Sequence, residues 1–140
     1  MERRGRYRPV VIGCIVHLIA MVIAYLNFPF KSPMEDSNEV AYLDPPNPYL
    51  AIAGSFLLGL GDAFFNTQII SITGIIFGNN SAAGIAIFKF AQSVTAAIAL
   101  LYSNAIALPF QLLFLAVLCI SGTATFCICE WQTRNQQRLP

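Results

Sequence analysis

The sequence predicts an all-α membrane protein with four transmembrane helices, and two observations support that prediction. Of the 140 residues, 56% are hydrophobic and only 11% are charged, whereas soluble domains carry about 25% charged residues and, when small, leave much of their surface in water. The apolar residues also gather into four long runs, 10–28, 49–77, 82–102 and 109–129. Each run is close to or longer than the roughly 20 residues that cross the hydrocarbon core as a helix.

A basic segment, 1–9, precedes the first apolar run and carries four arginines against a single Glu2. A basic start before an apolar run is also typical of a signal peptide, whose apolar core has about 7–15 residues and ends at a small-residue cleavage site. The run 10–28 is longer and leads into Pro29. We therefore favour a membrane helix that is retained.

A proline-rich acidic loop, 29–48, separates the first two runs. It contains five prolines and four acidic residues but only one basic residue, Lys31, and this composition indicates exposed backbone. Six of the eight basic residues flank the two ends of the chain. By the positive-inside rule we expect segment 1–9 and tail 130–140 in the cytosol, and the loop on the extracellular or lumenal side. The pattern fits the plasma membrane and endomembranes equally.

The second run, 49–77, is longer than a bilayer requires. As a continuous helix it would measure roughly 43 Å against a hydrocarbon thickness of about 30 Å, so we expect it to tilt, protrude or break. Its glycines offer places to bend. Ser55 and Gly59 are four residues apart and predict the close approach of a neighbouring helix.

Polar side chains interrupt three of the runs, and residues of this kind inside a membrane are functional candidates because they are costly to keep there. The candidate cavity or coupling positions are Asp62, Asn66, Gln68, Lys89, Gln92 and His17. Lys89 and Gln92 share one helical face with Ser93. The alternative is that these groups only fix helix packing, and for His17 that a neutral imidazole forms hydrogen bonds between helices.

Helix rise ranks these groups by depth from the cytosolic ends of their runs. The estimate is about 10 Å for Lys89, 12 Å for His17, 14 Å for Gln68, 16 Å for Asn66 and 22 Å for Asp62. Lys89 is therefore level with His17 and Gln68. A direct ion pair between Lys89 and Asp62 requires tilt, a helix break or a bridging water.

The sequence lacks the patterns that catalysis, cofactors or metals require. It has one histidine, no glycine-rich phosphate loop and no cluster with metal-ligand spacing, so we expect no enzyme activity, no cofactor and no metal site. A net charge of +1, without a basic face, argues against nucleic acid as a partner. The expected surrounding is the lipid bilayer.

The four cysteines lie within or at the edge of the apolar runs. Their spacing matches neither a disulfide framework nor a zinc site. We interpret them as small apolar filler. The alternative is S-acylation of Cys127 or Cys129, which lie where the last helix would meet the cytosol.

Two motifs and a third short segment of the sequence are distinctive. They are Phe56-Leu57-Leu58-Gly59-Leu60-Gly61-Asp62 with Phe65-Asn66-Thr67-Gln68, Ala86-Ile87-Phe88-Lys89-Phe90-Ala91-Gln92-Ser93, and Tyr102-Ser103-Asn104. Through these segments the sequence resembles the C-terminal part of Unc-93-like proteins in the major facilitator superfamily. The resemblance covers nearly the whole chain.

The resemblance implies that the four runs correspond to helices nine to twelve of a twelve-helix fold, hence a partial major facilitator superfamily fold. Transporters of this fold form their path between two six-helix halves, so the resemblance implies a fragment, a truncated product or an incorrectly bounded gene model. The partners it implies are missing N-terminal helices or another membrane subunit.

The resemblance implies two functional classes and no particular substrate. The first is solute transport, and the second is a non-transporting accessory role in regulating or trafficking an ion channel or receptor. An independent four-helix membrane protein that oligomerises is a third interpretation.

Overall fold

The computed structural model describes residues 7–31, 41–43 and 45–136, and α-helices account for nearly all of this part of the chain. The four helices are α1 (Tyr7–Asn27), α2 (Pro48–Phe77), α3 (Ser81–Ser103) and α4 (Leu108–Gln136). A short 3₁₀ turn, Gly78–Asn80, joins α2 to α3. Since the described residues include no β-strand, the predicted all-α class is confirmed.

Three stretches of the described residues are long and apolar enough to cross a membrane: Tyr7–Asn27, Pro48–Ser103 and Leu108–Asn135. The middle stretch of 56 residues would measure roughly 84 Å if straight. It is divided at the 3₁₀ turn, where Gly78 adopts a positive φ of 51°. Since Gly84 on α3 packs against Thr73 and Phe77 on α2, the chain folds back as a helical hairpin.

The start of α2 follows from its local sequence. The Asn47 side chain accepts a hydrogen bond from the backbone N–H of Tyr49 at 2.9 Å, which satisfies one of the free donors at a helix start. Pro48 occupies the first helical position, where its missing N–H costs nothing and its fixed φ suits the helix. The helix therefore begins directly after the proline-rich loop.

Helix α1 lies between its neighbours, because it packs along α2 and against α4. Helix α3 contacts mainly α2, and Gly84 is its only buried residue. The rest of the α3 surface is left largely uncovered by the described residues. The exposed apolar side chains on it include Ile87, Phe90, Val94, Ile98, Leu100 and Leu101.

Glycines set the separation of α1 and α2. A Cβ atom on Gly13 would lie 3.0 Å from the Cβ atom of Phe64 and 3.3 Å from the carbonyl oxygen of Gly61. A Cβ atom on Gly61 would overlap the ring of His17. Small residues thus allow the two backbones to approach closely, as expected for helices in a membrane.

The close approach falls on different glycines from the pair that the sequence suggested. Gly54 and Gly61 are buried and, being seven residues apart, share one face of α2. A Cβ atom on Gly59 would have no atom of its described neighbours within 4 Å, because Gly59 lies two residues from Gly61 and hence roughly 200° around the helix. The predicted close approach at Ser55 and Gly59 is therefore not made by any helix in the described part of the chain and stays a prediction.

Backbone hydrogen bonds tie the described part of the loop to the end of α1. Asn27 is only 1% exposed, and its side-chain oxygen accepts from the backbone N–H of Asn47 at 2.8 Å. The N–H of Leu43 donates to the carbonyl of Leu26 at 3.1 Å, and the N–H of Leu108 donates to the carbonyl of Phe30 at 3.2 Å. The end of α1, the described residues of the loop and the start of α4 are therefore connected by hydrogen bonds.

Candidate functional site

A cluster of three polar side chains joins α2 to α3 and is the candidate site. The ammonium Nζ of Lys89 donates to Oδ1 of Asn66 at 2.8 Å and to Oε1 of Gln92 at 2.9 Å. The amide nitrogen of Asn66 donates in turn to the backbone carbonyl of Asp62 at 3.0 Å. Each amide thus presents its oxygen to the cation, and we call Asn66, Lys89 and Gln92 the Lys89 cluster.

Asp62 is a neighbour of the Lys89 cluster and not its counter-ion. Within the described residues, the hydrogen bonds that Lys89 makes to other side chains go to Asn66 and Gln92. Asp62 lies one helical turn before Asn66 on the same side of α2, and its side chain is exposed. The cluster therefore carries a positive charge held by two neutral amides, with a carboxylate one turn away.

The charged groups of this face are left open by the described part of the chain. Lys89 and Asp62 are exposed, whereas Asn66 and Gln92 are half-buried. A charged side chain near the bilayer centre costs at least about 2.5–3.5 kcal/mol when it faces lipid. The polar face of α2 and α3 therefore requires water or further protein in front of it.

Two candidate residues lie away from the cluster. Gln68 is seven residues after Gly61 and so shares the side of α2 that packs on α1. His17 also lies at that contact: its Nδ1 atom is 3.1 Å from the Gly13 carbonyl oxygen, and its ring centroid is 5.4 Å from that of Phe65. The ring of His17 therefore packs against α2, while its hydrogen bond is to α1 itself and not to another helix.

An apolar groove of about 320 Å³ opens between α1, α2 and α4. His17 and Phe65 line it together with Leu118 and Cys119. The Sγ atoms of Cys119 and Cys14 are 3.6 Å apart, so α1 and α4 meet at this pair. The interpretation of the cysteines as apolar filler did not include a contact between Cys14 and Cys119. They are far apart in the sequence, and the sequence does not show which faces of α1 and α4 meet.

Several hydroxyl groups on α2 and α3 donate hydrogen bonds to backbone carbonyls of their own helix. The Ser93 hydroxyl donates to the Lys89 carbonyl at 3.0 Å, and the Thr67 hydroxyl donates to the Ala63 carbonyl at 2.7 Å. Ser93 shares a face with Lys89, but its hydroxyl bonds backbone and not the cluster. Across the described residues, no group of three potential metal ligands comes together.

A second site, which the sequence did not suggest, lies at the C-terminal end of α1. Aromatic side chains from α1, from residues just after it and from the loop line a pocket of about 270 Å³. The members come from separate parts of the chain. The only signal in the sequence is the density of aromatic residues around 25–30 and at Tyr42.

The helices and the polar face together define an α-helical integral membrane protein. Comparison with known proteins identifies the group: the family profile described as "Ion channel regulatory protein UNC-93" matches residues 1–128. The chain belongs to this UNC-93 family, which confirms the resemblance that the motifs around Asp62 and Lys89 indicated.

Two similar proteins are both called "UNC93-like protein MFSD11". The one from Xenopus tropicalis is 44% identical over 137 residues, which is 95% of this chain and 31% of that protein. The one from Xenopus laevis is 43% identical over 129 residues, which is 91% of this chain and 29% of that protein. The chain thus spans about a third of the length of these relatives, and the match supports a partial major facilitator superfamily fold. No solved structure matches the chain.

Proposed function

We propose that the polar face of α2 and α3 lines a solute path across the membrane, which helices other than α1 to α4 complete. The observation that carries this proposal is the Lys89 cluster. Its ammonium group is held at 2.8 and 2.9 Å by two amide oxygens, yet its side chain remains exposed. A preformed, charged and uncovered cluster is suited to meet a solute or a coupling ion.

The arrangement also offers two opposite charges on one face. Lys89 supplies a cation on α3, and Asp62 supplies a carboxylate one turn from Asn66 on α2. In transporters, substrate and ion sites lie near the middle of the bilayer, between parts of the fold that move against each other. A face that is polar and open on the hairpin side, while α1 packs on the other side of α2, fits that location.

The transport proposal is tested in the full-length UNC93-like protein MFSD11 of Xenopus tropicalis, at the positions that align with Asp62 and Lys89. The protein is reconstituted into proteoliposomes and supplied with a mixture of small metabolites, and accumulated solutes are identified by mass spectrometry. We expect at least one solute to enter with the wild type and to be lost with Asp62→Asn and Lys89→Met. Protein-free liposomes give the background.

Thr95→Val is the matched control, because the Thr95 hydroxyl donates to the Ala91 carbonyl of its own helix at 2.9 Å. This variant should retain uptake, and like Lys89→Met it replaces a polar side chain on α3 by an apolar one. Uptake that persists in correctly folded Asp62→Asn and Lys89→Met, or no uptake by the wild type, would contradict the transport proposal.

The second candidate function is accessory regulation of an ion channel, and it is supported by the description of the matched family as ion channel regulatory protein. In this case the uncovered α3 surface contacts the channel. A photo-reactive amino acid at Phe90, which is 72% exposed, should capture an ion-channel subunit in native membranes. The current carried by that channel should then change when the full-length protein is removed. Capture without an effect on current argues against regulation.

A further inference from the structure

Four aromatic side chains line the pocket at the C-terminal end of α1: Tyr25, Phe28, Phe30 and Tyr42. The expected orientation places this end on the extracellular or lumenal side. The pocket has a volume of about 270 Å³. The Lys89 cluster lies on α2 and α3 and shares no residue with this pocket, and the proposed solute path does not involve it. Its aromatic lining raises the question of which ligand chemistry it suits.

The walls of the pocket are held in place by contacts between distant parts of the chain. The rings of Tyr25 and Tyr42 have centroids 5.4 Å apart, and the Tyr25 hydroxyl donates to that of Tyr42 at 3.4 Å. The backbone bond from Leu43 to Leu26 joins the loop to α1, and the bond from Leu108 to Phe30 joins the start of α4 to the loop. The rings are therefore positioned by the fold.

The lining favours a cation that does not need hydrogen bonds. No lysine or arginine is among the described residues that line the pocket, and aromatic faces attract cations, with quaternary ammonium groups as the best-known case. The loop sequence 29–48, to which Tyr42 belongs, carries four acidic residues against one basic residue, and this composition favours cations over anions. The volume lies below the roughly 300–1,000 Å³ of pockets for drug-sized ligands, so it suits a small group.

The position of the pocket indicates where that group comes from. Helix α1 ends at Asn27 and α4 begins at Leu108, so the pocket lies at the level where transmembrane helices meet the lipid headgroups. We propose that this pocket binds the trimethylammonium group of a choline headgroup, supplied by phosphatidylcholine in the surrounding bilayer. The acyl chains of that lipid would then lie along the apolar surface of the helices.

Aromatic residues are common where membrane helices meet the lipid headgroups, so the pocket has to be distinguished from an ordinary belt of such residues. A tyrosine outside the pocket provides the control. Tyr49 lies near the start of α2, is 80% exposed and does not line the pocket. Tyr42 is 75% exposed but does line it. Since both side chains are largely uncovered, removing either one should leave the fold intact.

The test is lipid selectivity of the full chain. Nanodiscs contain equal amounts of phosphatidylcholine and phosphatidylethanolamine with identical acyl chains, and native mass spectrometry measures the ratio of the two lipids that remain bound. We expect phosphatidylcholine to exceed phosphatidylethanolamine in the wild type. Tyr42→Ala should lower this ratio by about fivefold, since one cation–π contact is removed, while Tyr42→Phe and Tyr49→Ala should keep it.

Equal binding of the two lipids by the wild type, or equal ratios for Tyr42→Ala and Tyr49→Ala, would overturn the proposal. Competition with soluble phosphocholine and phosphoethanolamine separates the lipid from a free choline compound. Retention of the bound lipid in both competitors supports the lipid as the source. If phosphocholine alone displaces the bound lipid, the pocket recognises the trimethylammonium group from solution as well as from the bilayer. Equal displacement of the lipid by both competitors would contradict recognition of that group.

Discussion

The ammonium group of Lys89 on α3 lies 2.8 Å from the amide oxygen of Asn66 on α2, a residue 23 positions earlier in the chain. This bond is charge-assisted and joins the two arms of the helical hairpin. Because the partner is a neutral amide, the positive charge remains available for a further ligand. The same bond thus serves two roles, in helix association and in the electrostatics of the polar face.

The first prediction concerns the stability of the hairpin. Asn66→Leu should lower the free energy of unfolding by about 1 kcal/mol, which is typical of a hydrogen bond between membrane helices. Thr67→Val is the control at the adjacent position, because the Thr67 hydroxyl bonds only its own helix at Ala63. Steric trapping in bicelles measures the difference. Equal stability of the two variants would show that the bond to Lys89 contributes nothing.

The second prediction concerns the contact between α1 and α2. Gly61→Ala places a methyl group against the His17 ring, and overpacking of this kind costs about 1–3 kcal/mol. Gly59→Ala places the same group in open space and should be neutral or slightly stabilising, because alanine favours helix. Thermal denaturation monitored in detergent compares the two. A loss of stability in Gly59→Ala as large as in Gly61→Ala would contradict the observed packing.

The third prediction concerns the contact between α1 and α4. Oxidation with copper phenanthroline should join Cys14 to Cys119, whose Sγ atoms are 3.6 Å apart. The two thiols lose two protons and two electrons, and Cu(II) of the reagent accepts the electrons. Mass spectrometry of the digested protein detects the linked peptides, and Cys119→Ser should abolish the link. A link from Cys14 to Cys127 or Cys129 instead would place α4 in a different register.

The fourth prediction concerns topology. Asn79-Asn80-Ser81 matches the acceptor pattern for N-glycosylation, but the expected orientation places this turn in the cytosol, so it should remain unmodified in eukaryotic membranes. Val40→Thr creates the same pattern at Asn38 in the loop 29–48, and that site should acquire a glycan. Enzymatic deglycosylation followed by gel electrophoresis distinguishes the two sites. A glycan at Asn79 would reverse the orientation.

The helices could be predicted from the sequence, because run length and helix-breaking residues act locally. The Asn47 cap and Pro48 mark the start of α2, and the glycine at position 78 marks its end. The packing of the helices could not be predicted. Apolar residues lie on every side of α2 and are not confined to one face, so its hydrophobic pattern does not show that Gly61 faces α1 while Gly59 does not.

For the candidate site, the sequence likewise predicts what depends on a single helix but not what depends on the packing of two. The spacing of Lys89 and Gln92 places them on one face, and they do form a bond. The partner on α2 depends on helix tilt and on the reach of the lysine side chain. Counting depth along straight helices left about 6 Å between Lys89 and Asn66, a gap that the structure closes. The aromatic pocket depends on a contact between Tyr25 and Tyr42, which lie on different segments.

The face carrying the Lys89 cluster should meet water in the complete protein, and the proposed solute path depends on this. Cysteine accessibility tests it in the full-length Xenopus tropicalis relative after its own cysteines have been replaced, at the aligned positions. Asn66→Cys and Gln92→Cys should react with a charged, membrane-impermeant thiosulfonate. Ile87→Cys and Val94→Cys, which lie two residues from Lys89 and Gln92 and so on the opposite side of α3, should not. Protection of both cluster positions while Ile87→Cys and Val94→Cys react would contradict the proposed path.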